Sequence, residues 1–175
     1  PVYAIIMEPM QASGGMIEFP KGDLKRIREI CDEFGILLIF DEIQTGIGRL
    51  GRLFVSELYD VYPDILTFGK AIAGGYPRAG VMMRDDLQLP AAASDSYTFA
   101  HFPVSFAAAC ATLDVLVQEK LPERAAKMGA YFTKRLKALQ KKYELIGDVR
   151  GPGLMIGIEL VKNRKTKEPA NDVVH

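Results

Sequence analysis

The chain alternates short apolar runs with longer stretches in which apolar residues recur at helical spacing. Val2 to Met7, Ile36 to Phe40, Ile65 to Phe68 and Ala79 to Met83 are runs of the first kind. Their length and lack of polar alternation predict strands covered on both faces, the habit of a parallel sheet. Between the first two, Lys21 to Phe34 carries Leu24, Ile27, Ile30 and Cys31 at helical spacing and meets Gly35, a residue suited to ending a helix. Arg52 to Tyr59 predicts a second crossover helix between the next pair of strands.

Beyond residue 100 the pattern changes. Pro103 and Pro122 each open a long helical stretch, to about Gln118 and about Lys142, as expected where proline takes the first turn. The later helix sets Leu136 and Leu139 among many lysines and arginines, a surface amphipathic pattern that needs no nucleic acid to explain it. Leu154 to Val161 predicts a strand and Lys162 to Pro169 a polar turn or hairpin. The fold class expected is therefore α/β: residues 1–120 form part of a large, mostly parallel-sheet domain, and residues 121–175 begin a small α+β C-terminal domain.

Parallel strands joined by right-handed crossovers point the same way. Residues that follow their carboxyl ends gather on one edge of the sheet, where open α/β sheets bind ligands. Asp41 follows the run ending at Phe40, and Lys70 follows Gly69 after the run ending at Phe68. Both belong to that edge. A lysine there acts as a nucleophile only when it sheds its proton, and at an ordinary value near 10.4 roughly one in a few thousand is neutral at pH 7. Burial and nearby cations ease that loss. A buried aspartate needs a cation, since an unpaired buried charge costs about 3 to 5 kcal/mol. Two readings stand open at this level. The two residues are an ordinary ion pair or unrelated strand ends, or they serve a group that needs both an aldehyde-capturing amine and an acid facing a protonated ring nitrogen, as pyridoxal phosphate does.

Rival motifs fail on context. Gly46-Ile47-Gly48-Arg49-Leu50-Gly51 has the glycine spacing of a dinucleotide site, but Asp41 to Thr45 intervene after the strand, and Asp64 starts the next strand instead of ending it. Gly69-Lys70 lacks the earlier glycine of a phosphate loop, where Asp64 stands, and Ala71 replaces its hydroxyl residue. Lysine plus arginine and aspartate plus glutamate number 22 each, so no net field recruits nucleic acid or an acidic membrane. At 49% hydrophobic residues the chain reads as globular, and no apolar run reaches the length of a bilayer span. The two cysteines, Cys31 and Cys110, have no metal or disulfide spacing and are expected to be buried thiols in a reducing, cytoplasmic setting.

Three stretches carry a resemblance. Glu8-Pro9-Met10-Gln11-Ala12-Ser13-Gly14-Gly15, Phe40-Asp41-Glu42-Ile43-Gln44-Thr45-Gly46-Ile47-Gly48-Arg49 and Asp64-Ile65-Leu66-Thr67-Phe68-Gly69-Lys70 resemble the class III aminotransferases from about Ala4 to the C-terminus. Within that family, Ile146 to Leu154 and Val161 to Ala170 are most similar to the 2,2-dialkylglycine decarboxylases, which couple decarboxylation to transamination.

The resemblance implies a fold-type I enzyme that uses pyridoxal 5'-phosphate to move an amino group from a small-molecule donor to a 2-oxo acid. It implies that Lys70 forms the Schiff base with the cofactor, Asp41 pairs with the pyridine nitrogen and Gln44 lies near the ring's phenolic oxygen. Thr98, ahead of Pro103, would reach the cofactor phosphate of a neighbouring subunit in a homodimer or homotetramer. Ser13 stands where many members place a glutamate that holds an arginine switch, which removes the basis for ornithine- or 4-aminobutyrate-type specificity. His101-Phe102 replace a Gly-Asn pair and alter the pocket wall, His101 having a structural or substrate-contact role. Arg78 is a candidate for a substrate carboxylate or phosphate, against the plainer reading of a solvated arginine. Decarboxylation, epimerisation or elimination on the same scaffold, and a non-catalytic homologue, remain alternatives. An opening already inside a strand and an end without a closing element lead to the expectation of a piece of a longer protein, carrying the cofactor anchor without a complete site.

Overall fold

The computed structural model describes residues 1–87 and 102–173. Thr98 and His101 lie outside them. In chain order the elements are β1 (Ala4–Met7), β2 (Met10–Gln11), β3 (Ile17–Glu18), α1 (Asp23–Phe34), β4 (Leu37–Asp41), α2 (Val55–Tyr59), β5 (Ile65–Phe68), a 3₁₀ turn (Lys70–Ala73), β6 (Gly80–Met83), α3 (Pro103–Gln118), α4 (Leu121–Lys142), β7 (Ile146–Arg150), β8 (Gly157–Asn163) and β9 (Glu168–Pro169).

The apolar runs form a four-stranded sheet in the order β1-β4-β5-β6. β1 pairs with β4 and β4 with β5 in parallel, and β6 returns antiparallel to β5. The architecture is the mostly parallel α/β sheet expected, made mixed by the antiparallel β6, which the apolar pattern does not distinguish from its neighbours. Helix α1 covers one face through Leu24 and Cys31, which join Leu38, Phe40 and Val61 in a buried cluster. Full burial of a leucine or phenylalanine contributes about 1.5–3 kcal/mol, so this cluster holds helix to sheet. Gly35 takes φ 63° and closes α1 with an N–H bond to the Cys31 carbonyl, the left-handed stop its sequence position suggests.

Four details depart from the sequence reading. β1 is an edge strand with alternating half-buried and exposed side chains, and Ile6 is 65% exposed. Helix α2 begins at Val55 and not at Arg52, because turns held by hydrogen bonds occupy residues 43–54. The tail strand begins at Gly157, since Leu154 N–H bonds back to the Arg49 carbonyl at 3.0 Å and Met155 is buried with Met10, Ala12, Leu50 and Val55. Cys110 is exposed on α3, so only Cys31 is the buried thiol expected of both.

β7, β8 and β9 form a separate antiparallel sheet of three strands, packed with α4. Arg150 of β7 donates to the Gly15 carbonyl at 2.8 Å while paired with Asp148 and Glu159. That bond ties the antiparallel sheet to the loop between β2 and β3, the loop that carries Ser13.

Candidate active site

Asp41 ends β4 and stands opposite Thr67 of β5 in the parallel register. Its Oδ1 accepts the Ile43 N–H at 3.0 Å and the Thr67 hydroxyl at 3.4 Å. The first bond turns the chain sharply after the strand, as short acidic side chains do in Asx turns. The second fixes the half-buried carboxylate to the neighbouring strand. Oδ2 accepts no hydrogen bond from any described residue.

Gln44 sits in the turn that follows. Its Oε1 accepts from Lys70 Nζ at 2.9 Å and from the Ser13 hydroxyl at 3.3 Å. Segments that follow β1, β4 and β5 therefore converge on one amide oxygen, as the parallel topology requires. Among the described residues no ion pair joins Asp41 to Lys70; the lysine turns to Gln44 and the aspartate to Ile43 and Thr67. The reading of the two as an ordinary ion pair is thereby removed.

Lys70 projects from a backbone at φ 47°, in the left-handed region that glycine favours. Residues held there against preference cluster at functional positions, where the surroundings over-determine the conformation. The surroundings here are apolar: Ile72 and Ala73 pack with Ile47 and Leu116 just behind the lysine. The side chain itself is exposed on the carboxyl edge.

Arg78 does not join this set of hydrogen bonds. Its guanidinium lies over the Phe106 ring, 3.5 Å from the centroid, so it is half-buried by stacking and not freely solvated.

Two residues of the edge had no role in the sequence reading. Thr67 supplies the hydroxyl that orients Asp41, and its signal was a polar residue inside an otherwise apolar run, one place before the strand's end. Glu42 is wholly buried and accepts the Val55 N–H at 2.6 Å, the Ser56 N–H at 3.0 Å and the Thr45 hydroxyl at 3.2 Å. Burial holds its carboxyl above the usual carboxylate value, outweighing these donors, which favour the charged form. Its signal was weaker, since a glutamate beside a strand end is ordinarily solvated.

An amine beside an uncommitted carboxylate oxygen suits a ligand that brings both an electrophilic carbonyl and a protonated ring nitrogen. Comparison with known proteins agrees with that chemistry. The family model for class-III aminotransferases matches residues 1–175. The chain is 48% identical over 90% of its length to the acetylornithine aminotransferase of Methanothermobacter thermautotrophicus, covering 40% of that protein. It is 44% identical over 98% of its length to the leucine/methionine racemase of Thermococcus litoralis, covering 39% of it. Among solved structures, an amine transaminase from an uncultivated Pseudomonas species, in its PLP-bound internal aldimine form, superposes with a TM-score of 0.86 at 39% identity, over 95% of this chain and 39% of that one. The chain thus spans about two fifths of the length of these relatives.

Proposed function

The chain belongs to the class-III aminotransferases, and on that premise we propose that it supplies the cofactor anchor of a pyridoxal 5'-phosphate-dependent transaminase, which moves an amino group from an amine or amino acid to a 2-oxo acid. The observation that carries this reading is the meeting of Lys70 and Ser13 at the Gln44 amide oxygen, beside an Asp41 carboxylate with one oxygen uncommitted.

When bound, pyridoxal phosphate supplies an aldehyde that captures amines and a protonated ring that draws electrons from the captured carbon. Asp41 suits the ring nitrogen because Oδ2 can accept its N–H while Oδ1 stays tied to Ile43 and Thr67. The carboxylate is oriented beforehand and loses little freedom on binding. Lys70 Nζ is the amine that would hold the cofactor and, when free of it, the base that would take a proton from the substrate carbon. Gln44 steadies that amine and would help hold the ring on the side of its phenolic oxygen. Ser13 forms the pocket wall beside it. Arg78, flat against Phe106, would meet a substrate carboxylate from the rim.

The same reading divides the protein near residue 120, with the four-stranded sheet in the large domain and α4 with the three-stranded sheet in the small one, an arrangement the two sheets support. It assigns Thr98 to the cofactor phosphate of a neighbouring copy, hence a homodimer or homotetramer. It puts the protein in the cytoplasm, which two free cysteines and the lack of a membrane-length apolar helix among the described residues support.

The test uses the full-length parent. It is incubated with pyridoxal phosphate, reduced with borohydride and digested, and the modified peptide is located by mass spectrometry. Modification at Lys70 is expected; a folded, cofactor-exposed protein unmodified at Lys70 overturns the reading. Donor screening with a 2-oxo acid then sorts the reaction. Release of carbon dioxide in step with amine transfer would identify the decarboxylating branch.

A further inference from the structure

We propose that Glu42 is a positioning residue of this site, a buried strut that fixes the Asp41–Gly46 turn and thereby holds the Gln44 oxygen where Lys70 and Ser13 donate to it. The inference rests on the reading of Lys70 as the cofactor anchor.

The turn is fastened at both ends through this one residue. Glu42 N–H donates to the Thr67 carbonyl at 2.9 Å, which extends strand pairing one place beyond β4, and the Glu42 carbonyl accepts the Gly46 N–H at 2.9 Å. Gly46 has no room for a β-carbon, which would stand 2.8 Å from that carbonyl and 3.0 Å from the Phe54 ring. Gln44 lies between these two fixed points.

The side chain adds a third. Oε2 accepts from the Thr45 hydroxyl and the Val55 N–H, and Oε1 accepts from the Ser56 N–H. Two backbone donors and one hydroxyl converge on one group. Among side chains, an ionised carboxylate has two oxygens, about four acceptor sites and no donor of its own, so it alone meets that demand. A glutamine would turn one oxygen into an amide donor facing another donor, and an alanine would leave the Val55 and Ser56 N–H groups unpaired in a dry interior. Phe54, the residue before α2, has no oxygen with which to take over.

Position along the chain explains why this strut serves the site and not only the fold. Asp41 and Glu42 are consecutive at a strand end, so their side chains leave on opposite sides. Asp41 keeps an oxygen uncommitted toward the edge, while Glu42 plunges inward and spends its oxygens on the scaffold. The neighbour of Gln44, Thr45, is bonded directly to Glu42, so motion of the carboxylate is transmitted to the amide one residue away.

The test compares the wild type, Glu42→Gln, Gln44→Ala and the double variant, all in the full-length enzyme. The readouts are pyridoxal phosphate affinity, measured from borohydride-trapped Lys70 against cofactor concentration, and the pH midpoint of the visible absorption of the loaded protein. Glu42→Gln is expected to weaken cofactor affinity about tenfold and to shift the absorption midpoint by half a unit or more, in the same direction as Gln44→Ala. The double variant should add little to Gln44→Ala, because the two residues act through one amide. If Glu42→Gln fails to fold, Thr45→Val removes one donor to the carboxylate and should shift the midpoint in the same direction by less. A midpoint equal to wild type in both Glu42→Gln and Thr45→Val, whatever their stability, overturns the proposal, as does simple addition in the double variant. A wild type that is folded yet unlabelled at Lys70 removes the premise, and the positioning role falls with it.

Discussion

The two ends of β5 carry charge in opposite ways. At its start Asp64, only 4% exposed, accepts the Leu38 N–H at 2.7 Å and pairs with Arg28 at 2.8 Å and Arg84 at 2.5 Å. Past its other end, Lys70 has one partner among the described residues, a neutral amide, and Asp41 across the edge has an oxygen that no described residue engages. Two arginines meet one carboxylate at the first end; among the described residues no ion pair forms at the second. A charge whose hydrogen bonds are all taken up within the chain has nothing to offer a ligand, whereas a charge steadied on one side only is oriented and still able to bind. The comparison separates a fold-holding cluster from a site without reference to sequence similarity.

Removing the lysine should break the comparison most severely. In the full-length enzyme Lys70→Ala should lower turnover at least a thousandfold, since proton transfer by a placed side chain alone contributes about 10²–10⁴ and the covalent anchor goes with it. Thermal unfolding of the cofactor-free protein should hardly change, because the amine is exposed and, among the described residues, bonded only to Gln44. Turnover close to wild type would return Lys70 to the class of ordinary surface residues.

The opposite outcome is expected at the other end. Asp64→Ala leaves the buried Leu38 N–H without an acceptor and takes from the largely covered Arg28 one of its two carboxylate partners, Asp32 remaining, so it should cost about 3 kcal/mol of stability by chemical denaturation, while Lys70 in the remaining folded protein still labels. Burial alone would raise the Asp64 carboxyl. The Leu38 N–H bond and the arginines outweigh it and hold the group below the usual carboxylate range. A depressed folded-state value means that stability from Asp64 is fully present above the unfolded value, near 3.9, and is lost as pH falls through the folded one. The stability gap between wild type and Asp64→Asn should therefore close as pH drops below about 4. A gap that persists unchanged to pH 2 would show that the ion pairs are not its source.

How much of this was legible beforehand depended on range along the chain. The strands, α1 with its Gly35 stop, and the helix from Pro103 to Gln118 follow from local pattern, and the structure has them within one to three residues. That Asp41 and Lys70 share an edge followed from topology, because parallel crossovers leave no alternative. The invisible part depended on contacts between distant segments. Glu42 caps a helix thirteen positions ahead, Thr67 orients a carboxylate twenty-six positions behind, and Arg150 holds a loop 135 positions behind. No periodicity encodes such pairs. The start of α2 was misplaced for the same reason: its first turn is set by Glu42, not by its own residues. The β2–β3 pair and β7 were missed because two-residue strands have no period to read and β7 contains Gly147 and Asp148, poor strand formers.

The smallest predicted effect sharpens the comparison by separating the lysine's backbone from its amine. At φ 47° a residue with a β-carbon meets its own carbonyl, a cost of about 1–2 kcal/mol that glycine avoids. Glycine in turn loses more freedom on folding than alanine, by about 0.5–1 kcal/mol. Both Lys70→Gly and Lys70→Ala lack the amine, so neither anchors the cofactor, and their difference reports on conformation alone. The glycine variant of the cofactor-free, full-length protein should be the more stable by about 0.5–1 kcal/mol in chemical denaturation, the surplus of relieved strain over added chain entropy. Asp64, just ahead of the same strand, has no positive φ and should show no such advantage: Asp64→Gly should be no better than Asp64→Ala. If Lys70→Ala proves the more stable of its pair, the left-handed backbone is not held in solution, and the strain at this end of β5 plays no part in presenting the amine.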